Sequence, residues 1–369
     1  LIPDFGQVQS DPRVLNLTPF EVQFNEYRPF FTEGTDLFSK GNLFYSRRIG
    51  GTPINFHKAN NHLQPQESIS SNPSETRLIN ATKISGRTKN GLGIGVLNAI
   101  SNHSDATIYN HETGESRQIQ TSPLTNYNVF VANKSLKYNS NISLINTNVL
   151  RLGDTYDANV SALLFDFNNK SNKWNVGGQI NTSILTDAIE SANNSGYSHV
   201  LYAGKTSGQF RFNVWNEVAD TKYTSNDMGY FTNNNYVNQG FCIGIRKPTP
   251  NSWRNQLNIN INGFTSFLFK PIGDENPDFQ AGRINFNTNL QLKTLHFMGL
   301  FADFRPHSND YYEPRVHGQF LRSGASHMIG AWMESNRAKR IFFFSEIAYR
   351  RTINFYNGHF IDLSFRPTW

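Results

Sequence analysis

The chain has 369 residues, of which 37% are hydrophobic and 14% aromatic, led by 30 Phe and 15 Tyr. Mean hydropathy is below zero, and no uninterrupted apolar stretch reaches the ~18–20 residues of a helical membrane span. That does not exclude a membrane β-barrel, whose strands need apolar side chains only at alternate positions. The formal charge of +6 is spread along the chain, with no basic block interleaved with aromatics. This argues against a nucleic-acid partner. A single cysteine, Cys242, excludes an internal disulfide framework and reads as an inert strand residue on the polar side of Phe241, Ile243 and Ile245. No charged-then-apolar leader is visible, which is uninformative about export.

Residues 1–80 carry Pro3, Pro12, Pro19, Pro29, Pro53, Pro65 and Pro73, which interrupt any regular element, so an irregular linker or plug segment is expected there. From about Ile79 a period-two pattern begins, placing alternate side chains on opposite faces of a strand. Thr82–Thr88 turns at Lys89-Asn90-Gly91, a tight-turn signal, into a strand over Leu92–Asn102. A long polar loop is expected around His103–Ser122. Strands follow near 124–135, 141–152, 156–167 and 173–186. In the last of these Trp174, Val176, Ile180 and Ile184 share one face, and Asn175, Gln179, Asn181 and Ser183 the other.

Further pairs are expected near 197–206 with 208–218, 236–247 with 254–270, and 280–294 with 296–305, then strands near 326–335, 340–350 and 355–366. Leu257, Ile259 and Ile261 alternate with Asn258, Asn260 and Asn262, and Ile284–Lys293 repeats the pattern. These runs of about 10–14 residues exceed the roughly 5–6 of an average soluble strand and match the ~9–11 that cross a membrane tilted. Short connections alternate with longer ones such as 219–235 and 306–318, the asymmetry of outer-membrane barrels. The expected fold is all-β, an antiparallel up-and-down outer-membrane-type β-barrel over 81–369 with about fourteen strands present. A soluble double-layer β-fold is the alternative.

Specific strings support this reading. They include Ile2-Pro-Asp-Phe-Gly-Gln-Val8, Asp11-Pro12, Asn16-Leu17-Thr18, Arg28-Pro-Phe-Phe31, Glu33-Gly34 and Leu43-Phe-Tyr-Ser-Arg-Arg-Ile-Gly50. Ile84-Ser-Gly-Arg-Thr88, Gly95-Val-Leu-Asn-Ala99, Leu124-Thr-Asn-Tyr127, Asn226-Asp-Met-Gly229 and Asn309-Asp-Tyr-Tyr-Glu-Pro-Arg315 continue the series. The chain resembles, over nearly its whole length, an uncharacterised domain-of-unknown-function family of Gram-negative outer-membrane proteins. In that family the domain usually follows a family 9-type carbohydrate-binding module. Gln9-Ser10 stands where the family pattern often has an acidic pair, and Phe24-Asn-Glu-Tyr27 where it has a Phe-Pro-Glu-Lys-like string. Members are longer at both ends, so the resemblance implies a fragment whose barrel is incomplete at the C-terminus. The closing Phe365-Arg-Pro-Thr-Trp369 allows the counter-reading of a barrel that closes itself.

Candidate chemistry is sparse. Asp4, Asp11, Glu21, Glu26, Glu33 and Asp36 could supply a carboxylate pair for glycoside hydrolysis, but salt bridges with Arg28, Arg47 and Arg48 are the expected role. Gly91-Leu-Gly-Ile-Gly95 lies within a strand rather than opening a helix, so it is no dinucleotide loop. Gly204-Lys205-Thr206 lacks the earlier glycine of a phosphate loop, where His199 stands. The ten histidines show no metal spacing, and no catalytic residue, cofactor or metal is expected. Asp310, Tyr311, Tyr312 and Glu313 form the candidate glycan-contact loop, adjacent rings flanked by acids, with an interfacial girdle and turn as the plainer reading. Asn226-Asp227 reads as an Asx turn before a cation site.

The expected function is glycan capture or uptake at the outer membrane, with membrane lipid and a poly- or oligosaccharide as partners. Two alternatives remain open, a glycan hydrolase with its site in the N-terminal segment or external loops, and a structural component of the outer membrane.

Overall fold

The computed structural model describes residues 14–186, 193–273, 276–353 and 358–368. Asp4, Asp11 and the opening Ile2–Val8 string lie outside the described residues. Before the strands the chain forms only single helical turns, at Pro29–Thr32, Lys40–Asn42, Ser46–Arg48 and Lys58–Asn61. The prolines and glycines here leave no run long enough to propagate a helix.

The strands are β1 (Glu67–Ser71), β2 (Leu78–Arg87), β3 (Leu92–Ser101), β4 (Ser104–Asn110) and β5 (Ser116–Ser122). Then come β6 (Thr125–Ser135), β7 (Asn141–Arg151), β8 (Asp157–Asn168), β9 (Trp174–Thr186) and β10 (Asn193–Lys205). They continue with β11 (Phe210–Ala219), β12 (Tyr236–Lys247), β13 (Arg254–Phe267), β14 (Phe279–Leu292) and β15 (Phe297–Arg305). Last are β16 (Ser308–Asp310), β17 (Leu321–Ser323), β18 (Ala325–Glu334), β19 (Phe342–Ile353) and β20 (Gly358–Thr368). Fifteen strands form one up-and-down sheet in the order β2-β3-β6-β7-β8-β9-β10-β11-β12-β13-β14-β15-β18-β19-β20, and every pairing described is antiparallel. The all-β, antiparallel up-and-down architecture is therefore as expected, with fifteen strands in place of about fourteen. Among the described residues the sheet is open, with β2 and β20 as its end strands.

The expected loop at His103–Ser122 is instead the hairpin β4–β5, which joins β1 in a separate three-stranded sheet. Ala106 and Ile108 fill its buried side, and Arg117 closes it by a two-pronged ion pair to Glu67 (2.8 and 2.6 Å). The second long connection, 306–318, likewise contains β16, which pairs with β17 just beyond it.

The chain divides into two compact units. The first comprises Leu1–Phe165, Gln179–Ser198 and Lys222–Asn234. Here the N-terminal segment lies on one face of the sheet. Phe31, Leu37, Phe38, Leu43 and Ile49 are buried, as are Leu97, Ala99, Val129, Val131, Ile145 and Val149 on the strand face that Leu37 and Phe38 meet. Two glycines allow that approach. A Cβ at Gly93 would sit 2.9 Å from Leu37 Cδ2, and one at Gly95 3.0 Å from Phe38 Cζ. Gln179, on the same face of β9, donates to the Gly41 carbonyl (3.1 Å), and Lys83 donates to the Phe30 and Glu33 carbonyls.

The opposite, uncovered face carries Ile94, Val96, Phe130, Leu144, Leu150, Ile180 and Ile184, all exposed. The alternation read from β9 is thus real: Gln179, Asn181 and Ser183 share the covered face, Gln179 meeting Gly41 and Ser183 accepting from the Thr224 N–H (3.3 Å), and Ile180 and Ile184 face away. In β3, β6 and β7 the covered face is mixed, with Leu97, Ala99, Val129, Val131, Ile145 and Val149 standing among the buried polar Ser101, Thr125, Asn133, Ser143 and Thr147. The physical reason for the apolar share is the segment itself, whose apolar anchors need apolar neighbours. Some amides then lie on the uncovered face, where they satisfy one another. Asn98 donates to the Asn126 and Asn128 side-chain oxygens at 2.7 and 2.8 Å.

The second unit comprises Asp166–Gly178, His199–Thr221 and Asn235–Trp369. Its register places Asn260 opposite Gly244 and Asn287, and Asn262 opposite Cys242 and Asn285. Asn260–Asn287 and Asn262–Asn285 side chains hydrogen-bond at 2.9 and 2.7 Å, forming an amide ladder on the polar face. Cys242 is exposed on that face. Leu300, Phe304, Ile329 and Ile347 are exposed on the other. No described helix is long and apolar enough to cross a membrane.

Candidate functional site

Two carboxylates of the N-terminal segment, Glu21 and Glu26, are engaged by its arginines. Glu26 pairs with Arg28 at 2.7 Å and accepts from the Ser46 hydroxyl at 2.6 Å. Burial alone would raise the Glu26 carboxyl, but the hydrogen bonds from Arg28 and Ser46 outweigh it and hold the group below its usual range. Arg28 also donates to the Ser46 and Ile49 carbonyls (2.8 and 2.9 Å) and lies 4.3 Å over the Phe31 ring. Glu21 pairs with Arg48 at 2.7 Å, while Glu33 and Asp36 are exposed. Two of the six acids, Glu21 and Glu26, thus have the expected salt-bridge role.

The loop after β11 binds this segment. Tyr45 N–H donates to the Met228 carbonyl (2.6 Å), Arg48 Nε to Gly229 O (3.1 Å) and Tyr230 Oη to Glu21 O (2.8 Å). Asn226 clasps Phe231 through both backbone groups (2.7 and 2.8 Å). This holds Asp227 against the end of β7, where it pairs with Arg151 at 2.5 Å, the two side chains only 9% and 6% exposed. Arg151 further donates to the Tyr156 carbonyl (2.7 Å) and stacks 4.7 Å from its ring. Burial and the Asp227 charge push the Tyr156 phenol up to about 12, against the opposing pull of Arg151. It is therefore neutral at physiological pH.

A cavity of about 230 Å³ opens beside this pair. Thr52, Ser122, Thr125, Thr224, Tyr127, Tyr156 and Arg48 line it, the Ser122 and Thr125 hydroxyls donating to the Pro123 carbonyl (3.4 and 3.0 Å). The buried Thr76 hydroxyl, also on its wall, has no hydrogen-bond partner among the described residues. Among the lining residues Asp227 is the only carboxylate, and it is ion-paired. Such a lining is rich in hydroxyl groups, which both donate and accept hydrogen bonds, and among the described residues it lacks the two facing carboxyls of glycoside hydrolysis. Among the described residues no group of three or more His, Cys, Asp or Glu side chains could hold a metal.

The other candidate loop belongs to the second unit. Asp310 Oδ1 accepts from the backbone N–H of Tyr312 (2.8 Å) and Glu313 (3.1 Å), an Asx turn. Tyr311 is buried, with its hydroxyl on the Pro277 carbonyl (2.8 Å) and its ring 5.2 Å from Phe320, and burial pushes its phenol up. Asp310, Tyr312 and Glu313 therefore share one turn, and Tyr311 packs beneath it. The Arg151–Asp227 pair, by contrast, had no sequence signal beyond the Asn226-Asp-Met-Gly229 string.

The family model described as "Domain of unknown function (DUF5916)" matches residues 1–369. The chain belongs to the DUF5916 family. No curated protein matches it. Among solved structures, the DUF5916 chain is similar to BamA from Haemophilus ducreyi lacking POTRA domains 1–3. The identity is 7% and the TM-score 0.30, covering 79% of this chain and 76% of that one.

Proposed function

We propose that this DUF5916 chain works as an outer-membrane β-barrel protein whose N-terminal segment occupies the inner side of the wall, and that its task is glycan capture or uptake at the surface of a Gram-negative cell. The observation carrying the membrane reading is the division of faces. One face is covered by the protein's own N-terminal segment, while the other exposes Ile94, Val96, Phe130, Leu144, Ile180 and Ile184 at alternate positions. An exposed apolar band of that extent is costly in water and at home in lipid. The glycan reading is supported by the hydroxyl-lined cavity beside Arg151 and Asp227, and by the family resemblance that sets a carbohydrate-binding module before such domains.

The test is heat-modifiable gel mobility of full-length protein extracted in detergent from outer membranes, followed by titration with cellohexaose, xylohexaose and maltohexaose. A heat-sensitive band together with saturable binding to one of them, weakened in Thr224→Val, is the expected outcome. A heat-sensitive band with no binding supports a structural role, and a soluble protein without a mobility shift sinks the barrel.

A further inference from the structure

In the second unit the hairpin turns β14–β15 and β18–β19 lie side by side, because β15 pairs with β18. Asn336 Nδ2 of one turn donates to the Thr294 carbonyl of the other (3.1 Å). Between them is a cavity of about 560 Å³. Its lining carries the ammonium groups of Lys293 and Lys339 and, among the described residues, no carboxylate. The nearby Glu334 is already taken by Arg337 (2.5 Å). The same lining carries the apolar Leu295, Ile341 and Phe343, of which Leu295 and Ile341 are exposed.

The position of this cavity selects its ligand. Ile341 and Phe343 continue the face of β19 that exposes Ile347, in register with the exposed Leu300 of β15 and Ile329 of β18 through Ala331 and Ala302. The cavity therefore sits where the uncovered apolar face ends and the short turns begin. Resting on the membrane reading above, that is the level of a lipid headgroup, and short turns mark the periplasmic rim of such barrels. A molecule with a phosphodiester against two lysines and an acyl chain along Ile341 and Phe343 complements both kinds of lining side chain. We propose that this pocket binds an anionic glycerophospholipid of the inner leaflet, its phosphate held by Lys293 and Lys339 and its chain by Leu295, Ile341 and Phe343.

The experiment is native mass spectrometry of the full-length protein in detergent containing dioleoylphosphatidylglycerol or dioleoylphosphatidylcholine, with gel mobility recorded on the same samples. The expected result is a retained phosphatidylglycerol adduct that excess inorganic phosphate does not displace. Lys293→Gln/Lys339→Gln should weaken it about thirtyfold, about fivefold per lysine. Lys339→Gln alone, an exposed turn position, gives the single step should the double variant misfold. Lys89→Gln/Lys137→Gln, on other turns, should retain the adduct. Equal retention by the Lys293 and Lys339 variants, or displacement by phosphate alone, overturns the proposal. Absence of a heat-modifiable shift in the wild type refutes the membrane reading itself, which the gel separates from a loss of the lipid site.

Discussion

Replacing Asp227 with alanine strips a 6%-exposed guanidinium of its carboxylate partner among the described residues. Removing one member of a buried pair typically costs about 3–5 kcal/mol, because the other charge stays desolvated. Arg151 would keep the Tyr156 carbonyl at 2.7 Å and the ring at 4.7 Å. A cation–π contact of this kind is worth about 0.5–2 kcal/mol, so the lower end, about 3 kcal/mol, is expected. Arg151→Met/Asp227→Leu removes both charges and should recover most of that loss. The assay is the urea midpoint of the folded, heat-sensitive gel band in detergent for wild type, Asp227→Ala, and the cycle of Arg151→Met, Asp227→Leu and their double. A cost below about 0.5 kcal/mol for Asp227→Ala, or strictly additive singles, would refute the buried coupling.

Other outcomes follow from the same geometry. Gly95→Val drives a side chain into Phe38, so it should destabilise by about 1–3 kcal/mol in the same urea assay, and Phe38→Ala should partly rescue it. Tyr156 should ionise near 12, above its ordinary value of 10.0, in ultraviolet difference titration, with the late component missing in Tyr156→Phe. Because its folded pKa is raised, the stability it contributes is present below about 10 and is lost as pH rises toward about 12. Glu67 is held down to about 2 by the Arg117 hydrogen bonds, reinforced by the Gln64 N–H. Its folded pKa being depressed, protection of β4–β5 should be full above about 4.5 and fade as pH falls through about 2. Hydrogen exchange corrected for intrinsic rates reads this fading directly, and Glu67→Gln should abolish the pH dependence.

Period-two alternation made the sheet legible. Strands such as Tyr236–Lys247 fall where the pattern places them, because a two-sided environment leaves its mark at every second residue. Short strands with mixed polar faces left weaker marks. In Ser104–Asn110 only Ala106 and Ile108 signal a buried side, and its partner Glu67–Ser71 is more than thirty residues earlier. The N-terminal segment was legible as irregular but not as a packed element. Its anchors Phe31, Leu37, Phe38, Leu43 and Ile49 follow no period, being fixed by the wall they meet. Arg151 and Asp227 are 76 residues apart, and nothing local in either neighbourhood specifies the other. At Asp310 the string did encode its own structure, since an Asx turn is local, whereas the burial of Tyr311 depends on Pro277 and Phe320.

The central claim is that the uncovered face of the sheet meets lipid. Spin labels placed singly at 175, 176, 179, 180, 183 and 184 of β9, in a Cys242→Ser background reconstituted into phosphatidylcholine liposomes, test it position by position. The account expects oxygen accessibility to peak at Val176, Ile180 and Ile184 and to fall at Asn175, Gln179 and Ser183. Equal access of a water-soluble nickel reagent to both sets would contradict it, and would place the exposed apolar residues in water.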